Sequence, residues 1–420
     1  MKLEQSLASS PVPAYVPEQA VLARYADVLV NFALGGGKGV KKHEVVFVAL
    51  HEVAKPLLPH LQRAILKAGA HMVLDYRPDD GPDMSLSRTF YELAGPHHLS
   101  FFPDKHMRGV VDQADHLLMM ISETDKKVLA GIPPEKMMKR GQAWKPYMEW
   151  RNEKESAGKF TWTLGLYGTE AMAKEAGLSL KEYWEQIIQA CFLDKKDPIG
   201  EWKKTYRLLE STRVKLNKLT TKKGCRLHVE GPAADLWIAM GEKRQWMGGS
   251  GRNVPSFELF TSPDWRGTEG WIRFNQPLYR YGNLIEGVEL RFKKGKVVSA
   301  AATKNEKVLE AMIATKNADK IGEYSLTDKR FSRITKFMAE TLFDENVGGP
   351  QGNTHLAVGA SYHDCYAGEP SKPTKAEWEK LGYNDSSVHT DIVSTEPRTV
   401  TAHFEDGTSK VIYQDGMFTL

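Results

Sequence analysis

Apolar positions Val21, Tyr25, Val28, Leu29 and Phe32 recur at helical spacing until Gly35-Gly36-Gly37 ends the pattern, which predicts an amphipathic helix after an entry punctuated by prolines up to Pro17. The unbroken run Val45 to Leu50 predicts a buried strand. Leu61 and Ile65 mark a helix stopped at Gly69, and His71 to Leu74 a second strand. Strand, helix, strand in that order implies a parallel sheet. Leu117 to Ile121 and Phe160 to Tyr167 supply a third and a fourth strand. Leu180 to Leu216 is helical, broken at Asp197-Pro198, with Tyr183, Trp184, Ile187, Ile188 and Cys191 on its inner side. It forms a bridging element. From Cys225 onward the texture changes to short alternating strands with turns at Gly231, Gly282-Asn283 and Lys294-Gly295, and Val288 to Phe292 faces Val297 to Ala300 across a hairpin. The pattern as a whole predicts an α/β protein of two domains. Residues 1–220 form an N-terminal α/β layer domain with a parallel sheet and bridging helices, and residues 221–420 a strand-rich α+β domain.

At 420 residues the chain exceeds the size at which a single core stops growing, in keeping with two domains. The 57 basic and 53 acidic residues are interspersed, and no polybasic stripe with interleaved aromatics suggests nucleic acid. From Asp344 to Leu420, however, twelve Asp and Glu face five Lys and Arg. That segment suits cations. Cys191, Cys225 and Cys365 lie far apart, giving neither a CxxC zinc knuckle nor a disulfide framework, so a reducing cytoplasm is expected. The start, Met1 to Ser6, lacks an apolar leader, and the longest apolar run is too short to cross a bilayer, so no membrane association is expected.

Candidate chemistry concentrates late in the chain. In Val388-His389-Thr390-Asp391-Ile392-Val393, His and Asp two residues apart in a β-branched strand point to one face, where both can hold a cation. On its own the pair reads equally well as a metal site or as a polar pair on a strand face. Upstream, Asn353 to Gly359 places His355 at the mouth of a Gly-bounded turn, and Glu258 and Glu323 are further candidate carboxylates. Three carboxylates and two imidazoles suffice for a two-metal site. Gly35 to Gly39 is not a phosphate loop, because it follows a helix and opens a strand. Gly248-Gly249-Ser250-Gly251 lacks the spacing of a nucleophile elbow. The histidines of the first half stand singly and are assigned no chemistry.

The stretch Asn253 to Pro263, NVPSFELFTSP, resembles the N-x-P-S/T-x-E-V/L-F-T-x-P signature of the M29 metallo-aminopeptidases, the aminopeptidase T and aminopeptidase S group. Further motifs follow in the family's order. Leu284 to Phe292 resembles its L-I-x-G hairpin, Ile321-Gly322-Glu323 its I/L-G-E ligand turn, and Thr341 to Asn346 its T-L-F/Y-D-E-N run. His355 to Tyr362 resembles H-L/I-A-x-G-x-x-Y, Val388 to Asp391 resembles I/V-H-x-D, and the closing residues Asp406-Gly407 and Asp415 to Phe418 resemble the terminal hairpin. The series covers roughly the last 190 residues. Two departures stand out: Gly348 to Gly352 lengthens the loop before His355, and Phe257 stands where an acidic residue is frequent.

The resemblance implies Glu258, Glu323, His355, His389 and Asp391 as ligands of two divalent ions, with zinc, cobalt, manganese and magnesium equally suited to such a shell. It places Tyr362 beside them as a donor to the oxyanion, and Glu323 or Glu345 as the proton-transferring carboxylate. The implied reaction is release of N-terminal residues from short peptides with a free N-terminus, by a homodimer. A rival on the same scaffold is a ring-cleaving dioxygenase with mononuclear Fe(II) on His355, His389 and Asp391. A third reading is a peptide-binding relative without turnover.

Overall fold

The computed structural model describes residues 15–81 and 85–420. The reading of Met1 to Ser6 lies outside the described residues. The first helix runs Gln19–Val28, widens into a π turn at Leu29–Ala33, and ends where Gly35 and Gly36 adopt φ of +68° and +64°. Five parallel strands then form one sheet in the order His71–Arg77, Val45–His51, His116–Ile121, Thr161–Leu166 and Asn253–Val254. Val46, Val48 and Leu50 pack from it against Leu22, Tyr25, Leu29, Leu61 and Ile65. Each fully buried side chain of that size contributes about 2 kcal/mol.

Helices Asp104–Gln113, Pro134–Ala143 and Lys145–Ser156, absent from the sequence reading, flank this sheet and bury only Val111, Met137 and Arg151 respectively. The predicted bridging stretch is two helices, Leu180–Ala190 and Pro198–Thr220, with Asp197 capping the second by accepting from Gly200 N–H.

The second half carries two large antiparallel sheets and the two-stranded hairpin of Leu278–Arg280 with Asn283–Ile285. The larger has eight strands, in the order Lys296–Ala301, Glu289–Lys293, Asp264–Arg273, Ala234–Ala239, Arg226–Gly231, Thr399–His403, Ser409–Gln414 and Met417–Phe418. The smaller has four: His389–Ser394, Asn353–Gly359, Ile321–Thr327 and Glu258–Thr261. Leu236, Ile238 and Leu290 of the larger share one core with Leu259, Tyr324, Leu326, Leu356, Val358 and Ile392 of the smaller. Because side chains alternate along a strand, this apolar set consigns Glu258, Glu323, His355, His389 and Asp391 to the opposite face. The mixed architecture, parallel first and antiparallel after, is the one the sequence pattern predicts.

Two local expectations are corrected. His355 does not sit at the mouth of a turn but is the third residue of the strand Asn353–Gly359. Glu323 lies in no turn either; it follows a register shift at Ile321 to Glu323 inside the strand Ile321–Thr327. Gly322 explains the irregularity, since a Cβ there would meet the Ala360 carbonyl oxygen at 2.2 Å.

Candidate metal centre

Pairing across the four-stranded sheet brings the predicted residues together. Ala357 lies between Glu323 and Asp391 in register, Gly359 faces His389, and His355 faces Ser325 on one side and Val393 on the other. The small Ala357 leaves space above the sheet for the longer side chains around it. Gly359, at φ +103°, lets the chain pass the Val388 carbonyl, which a Cβ would approach to 2.0 Å. The fourth strand enters at Glu258. Its neighbour Phe257 points the other way and stacks on Trp202 with centroids 5.3 Å apart, while the Phe257 N–H donates to Asn346 Oδ1 at 2.7 Å. The aromatic departure from the family pattern is thus an anchor in the N-terminal core.

His355 Nε2 lies 3.2 Å from Glu258 Oε2, 3.4 Å from Glu323 Oε1 and 3.9 Å from Asp391 Oδ1. His389 Nε2 lies 3.3 Å from Glu323 Oε2 and 3.5 Å from Asp391 Oδ1. Nδ1 of His389 is 2.8 Å from the Ala360 carbonyl, a contact that places the ring proton there and leaves Nε2 free as a ligand atom. Glu258, Glu323 and His355 form one compact donor group, and Glu323, His389 and Asp391 a second that shares Glu323.

Glu345 belongs to the same cluster, grouped with His355 and Asp391, and its Oε1 accepts from Asn253 Nδ2 at 3.1 Å. Tyr362 follows on the loop after Gly359. Its backbone N–H donates to Ser262 Oγ at 2.8 Å, and its ring centroid lies 4.7 Å from that of His389. Taken as a whole residue, Tyr362 is about a third exposed.

Electrostatics confirm the crowding. Burial pushes the Glu258 carboxyl up to about 7, against the attraction of His355 and with the repulsion of Glu323. Burial, then Glu258 and Asp391, raise Glu345 well above the carboxylate range. For Asp391 burial works in the same sense, yet His389 beside it wins and holds the carboxyl at about 2. Burial opposes the charge on His355 and His389 too, but their carboxylate neighbours lift both well above the imidazole range.

The donor set fits a divalent cation. His389 Nε2 and Asp391 Oδ1 are enclosed and make no hydrogen bond, and such orphaned atoms facing one another are the normal state of ligands, not of structural polar groups. The mix of carboxylate oxygens and imidazole nitrogens without thiolate suits zinc, manganese, cobalt or magnesium.

The sequence reading missed Ser325, whose Oγ donates to Glu258 Oε2 at 2.8 Å, and Asn253, which orients Glu345. Ser325 was within reach, because two residues after Glu323 in a strand is the same face.

The thermophilic metalloprotease (M29) family matches residues 18–418. The chain belongs to that family. The resemblance carried by the late motifs is thereby borne out over nearly the whole length, and with it a hydrolase of the metallo-aminopeptidase class. Aminopeptidase T of Thermus thermophilus is 31% identical over 325 residues, which cover 72% of this chain and 76% of that protein. The solved structure of wild-type AmpT from Thermus thermophilus superposes with a TM-score of 0.78 at 26% identity, over 95% of this chain and 99% of that one. A 2,5-dihydroxypyridine dioxygenase from Pseudomonas putida KT2440 shares the fold more distantly, with a TM-score of 0.52 at 12% identity over 96% of this chain and 98% of its own. That distance indicates scaffold, not chemistry. Among the described residues no helix is long and apolar enough to cross a membrane, and Cys191, Cys225 and Cys365 are unpaired and buried.

Proposed function

We propose that this M29 protein releases N-terminal residues from short peptides, one at a time, with two divalent ions held by Glu258, Glu323, His355, His389 and Asp391. The observation that carries the reading is the pair of donor groups that share Glu323. A mononuclear iron site has no need of two further glutamates, so their presence argues against the dioxygenase reading. Bound there, the ions would polarise the scissile carbonyl, activate water near neutral pH and hold the free α-amino group.

The chain's own residues do the rest. Glu345, raised by burial and by Glu258 and Asp391, holds a proton within the cluster, and Asn253 fixes the carboxyl that gives and takes it. Glu323 is the other carboxylate able to serve. The Tyr362 phenol is likewise raised, by burial and then by Glu323 and Asp391, so its hydroxyl stays protonated and available as a donor to the developing oxyanion. The same reading includes a homodimer in a reducing cytoplasm, which the unpaired cysteines support.

The decisive experiment combines metal analysis of purified protein with hydrolysis of paired peptides, free and N-acetylated. Two ions per chain, and trimming of the free-amine peptide alone, are the expected results. Efficient cleavage of the acetylated peptide would refute aminopeptidase action.

A further inference from the structure

Between the segments that carry Glu258 and Glu345 stands a side-chain amide, that of the fully buried Asn346. Its Oδ1 accepts the Phe257 N–H at 2.7 Å, one residue ahead of Glu258. Its Nδ2 donates to the Leu342 carbonyl at 3.2 Å and to Glu345 Oε1 at 3.4 Å. Because the Phe257 N–H can only donate and the Leu342 carbonyl can only accept, the orientation of the amide is fixed. Its NH2 end is the one turned to Glu345. A carboxylate in the same place would offer acceptors at both ends.

The backbone of Glu345 is held from other strands. Its carbonyl accepts from Asn353 Nδ2 at 2.8 Å and from Thr327 Oγ1 at 3.3 Å. Asn353 stands two residues before His355, and Thr327 pairs with Glu258 in register. Glu345 also caps a single helical turn, Thr341–Asp344, that Asp344 draws tight by accepting from the N–H groups of Met338 and Glu340 at 2.7 and 2.9 Å. What these contacts leave open is the direction of the Glu345 carboxyl. Asn253 Nδ2, at 3.1 Å, and Asn346 Nδ2 donate to the same oxygen, Oε1. Asn253 comes from the last strand of the parallel sheet and Asn346 from the turn of Glu345 itself, so the carboxyl is gripped from two elements while it stays grouped with His355 and Asp391. A contact of 3.4 Å adds little energy; its effect is on direction.

We infer that Asn346 is a positioning residue for proton transfer: it couples Glu345 to the strand of Glu258 and keeps the Glu345 carboxyl aimed at His355 and Asp391. This rests on the reading of Glu345 as the carboxylate that gives and takes the proton. A misplacement of about 1 Å at such a group costs on the order of a hundredfold in rate.

The test measures kcat and KM on a leucyl-coumarin amide, metal content, and the midpoint of chemical denaturation. The proteins compared are the wild type, Asn346→Ala, Asn346→Asp, Glu345→Gln and the combinations of Glu345→Gln with each Asn346 variant. Asn346→Ala is expected to lower kcat by roughly tenfold or more with KM and metal content unchanged. Asn346→Asp, which keeps the shape and loses the NH2 donor, should lose a similar amount. In the Glu345→Gln background either change should cost less than about threefold further, because no proton carrier is left to aim. If the alanine variant does not fold, the isosteric Asn346→Asp carries the same comparison. Equal fold-losses in both backgrounds, a kcat loss that only tracks lost metal, or a kcat within a few fold of wild type would overturn the inference and leave Asn346 as a brace of the turn. Unaltered turnover in Glu345→Gln would overturn the role of Glu345, and the inference with it. Failure of the wild type on every free-amine substrate would overturn the aminopeptidase reading itself.

Discussion

The parallel sheet and the ligand sheet are both built from strands rich in apolar residues, but their second faces meet different environments. In the parallel sheet the central strands bury Val46, Val48 and Leu50, while the outermost strand leaves Val73, Leu74 and Tyr76 about 40% exposed. In the ligand sheet every residue of Ile321–Thr327 and of Asn353–Gly359 is buried, including the charged ones. The first arrangement is what hydrophobic burial alone produces. The second is costly, because it takes carboxylates and imidazoles out of water without giving each a hydrogen bond. A sheet that is closed on both faces and charged on one gains stability when a cation neutralises the charge. The comparison puts the candidate site where folding by itself is least favoured.

The largest effect should come from removing the group common to both donor sets. Glu323→Ala is expected to lower turnover of a free-amine peptide by more than roughly a thousandfold and to leave at most one ion bound, as read by metal analysis. Near-normal turnover would show that the shared position is incidental. Tyr362→Phe tests the rim of the same site. With metal content and KM unchanged, kcat should fall roughly a hundredfold, or about 3 kcal/mol; a change of only a few fold would reduce Tyr362 to a packing residue against His389.

A smaller effect is expected in the chelator-treated protein. Glu258, raised from 4.5 to about 7, and Asp344, raised from 3.8 to about 8 by burial, bind their protons more tightly folded than unfolded. Folding therefore takes up protons, and stability falls as pH climbs from about 4 through 8. His355 and His389 act in the same sense, since their contribution is full below 6.5 and is lost on the way up. Asp391, held at about 2, contributes stability that is lost only as pH falls below 3.8. Metal-free protein should be less stable at pH 8.5 than at pH 6. Added metal should oppose the trend, because it needs the deprotonated ligands and contributes about 2.7 kcal/mol at a hundred times its Kd. Chemical denaturation at the two pH values would show a shallower fall with metal than without; an unchanged slope would speak against metal at these residues.

The contrast between the sheets also governs what was legible in the sequence. Period-two and helical patterns mark Val45–His51, the helix through Leu61 and the hairpin of Glu289–Lys293 with Lys296–Ala301 because one face of each is consistently buried. The helices Asp104–Gln113 and Lys145–Ser156 escaped because each buries a single residue, so no apolar stripe announces them. His355 was misplaced because a strand enclosed on both sides has no solvated face to mark its alternation, and its Gly359 end looked like a turn. The candidate ligands stood out as isolated His and acidic residues, and an ordered series of motifs joined them into one set. Their partners Ser325 and Asn253 lie 67 and 92 residues from Glu258 and Glu345, and only the folded chain brings them there.

The smallest effect belongs to the exposed edge of the parallel sheet and serves as the control on the whole comparison. Leu74 is 41% exposed on the outermost strand, and its backbone ladder to Val48 does not depend on the side chain. Leu74→Ser removes apolar surface that water already reaches, and β-propensity differences between the two residues amount to a fraction of a kcal/mol. Unfolding free energy should therefore change by no more than about 0.5 kcal/mol, with peptide turnover and metal content unaltered. A loss of 2 kcal/mol or more would mean that this edge is covered in the working protein. A fall in turnover without a fall in stability would mean instead that the parallel sheet communicates with the metal centre, and the separation drawn between a sheet that supports and a sheet that reacts would fail.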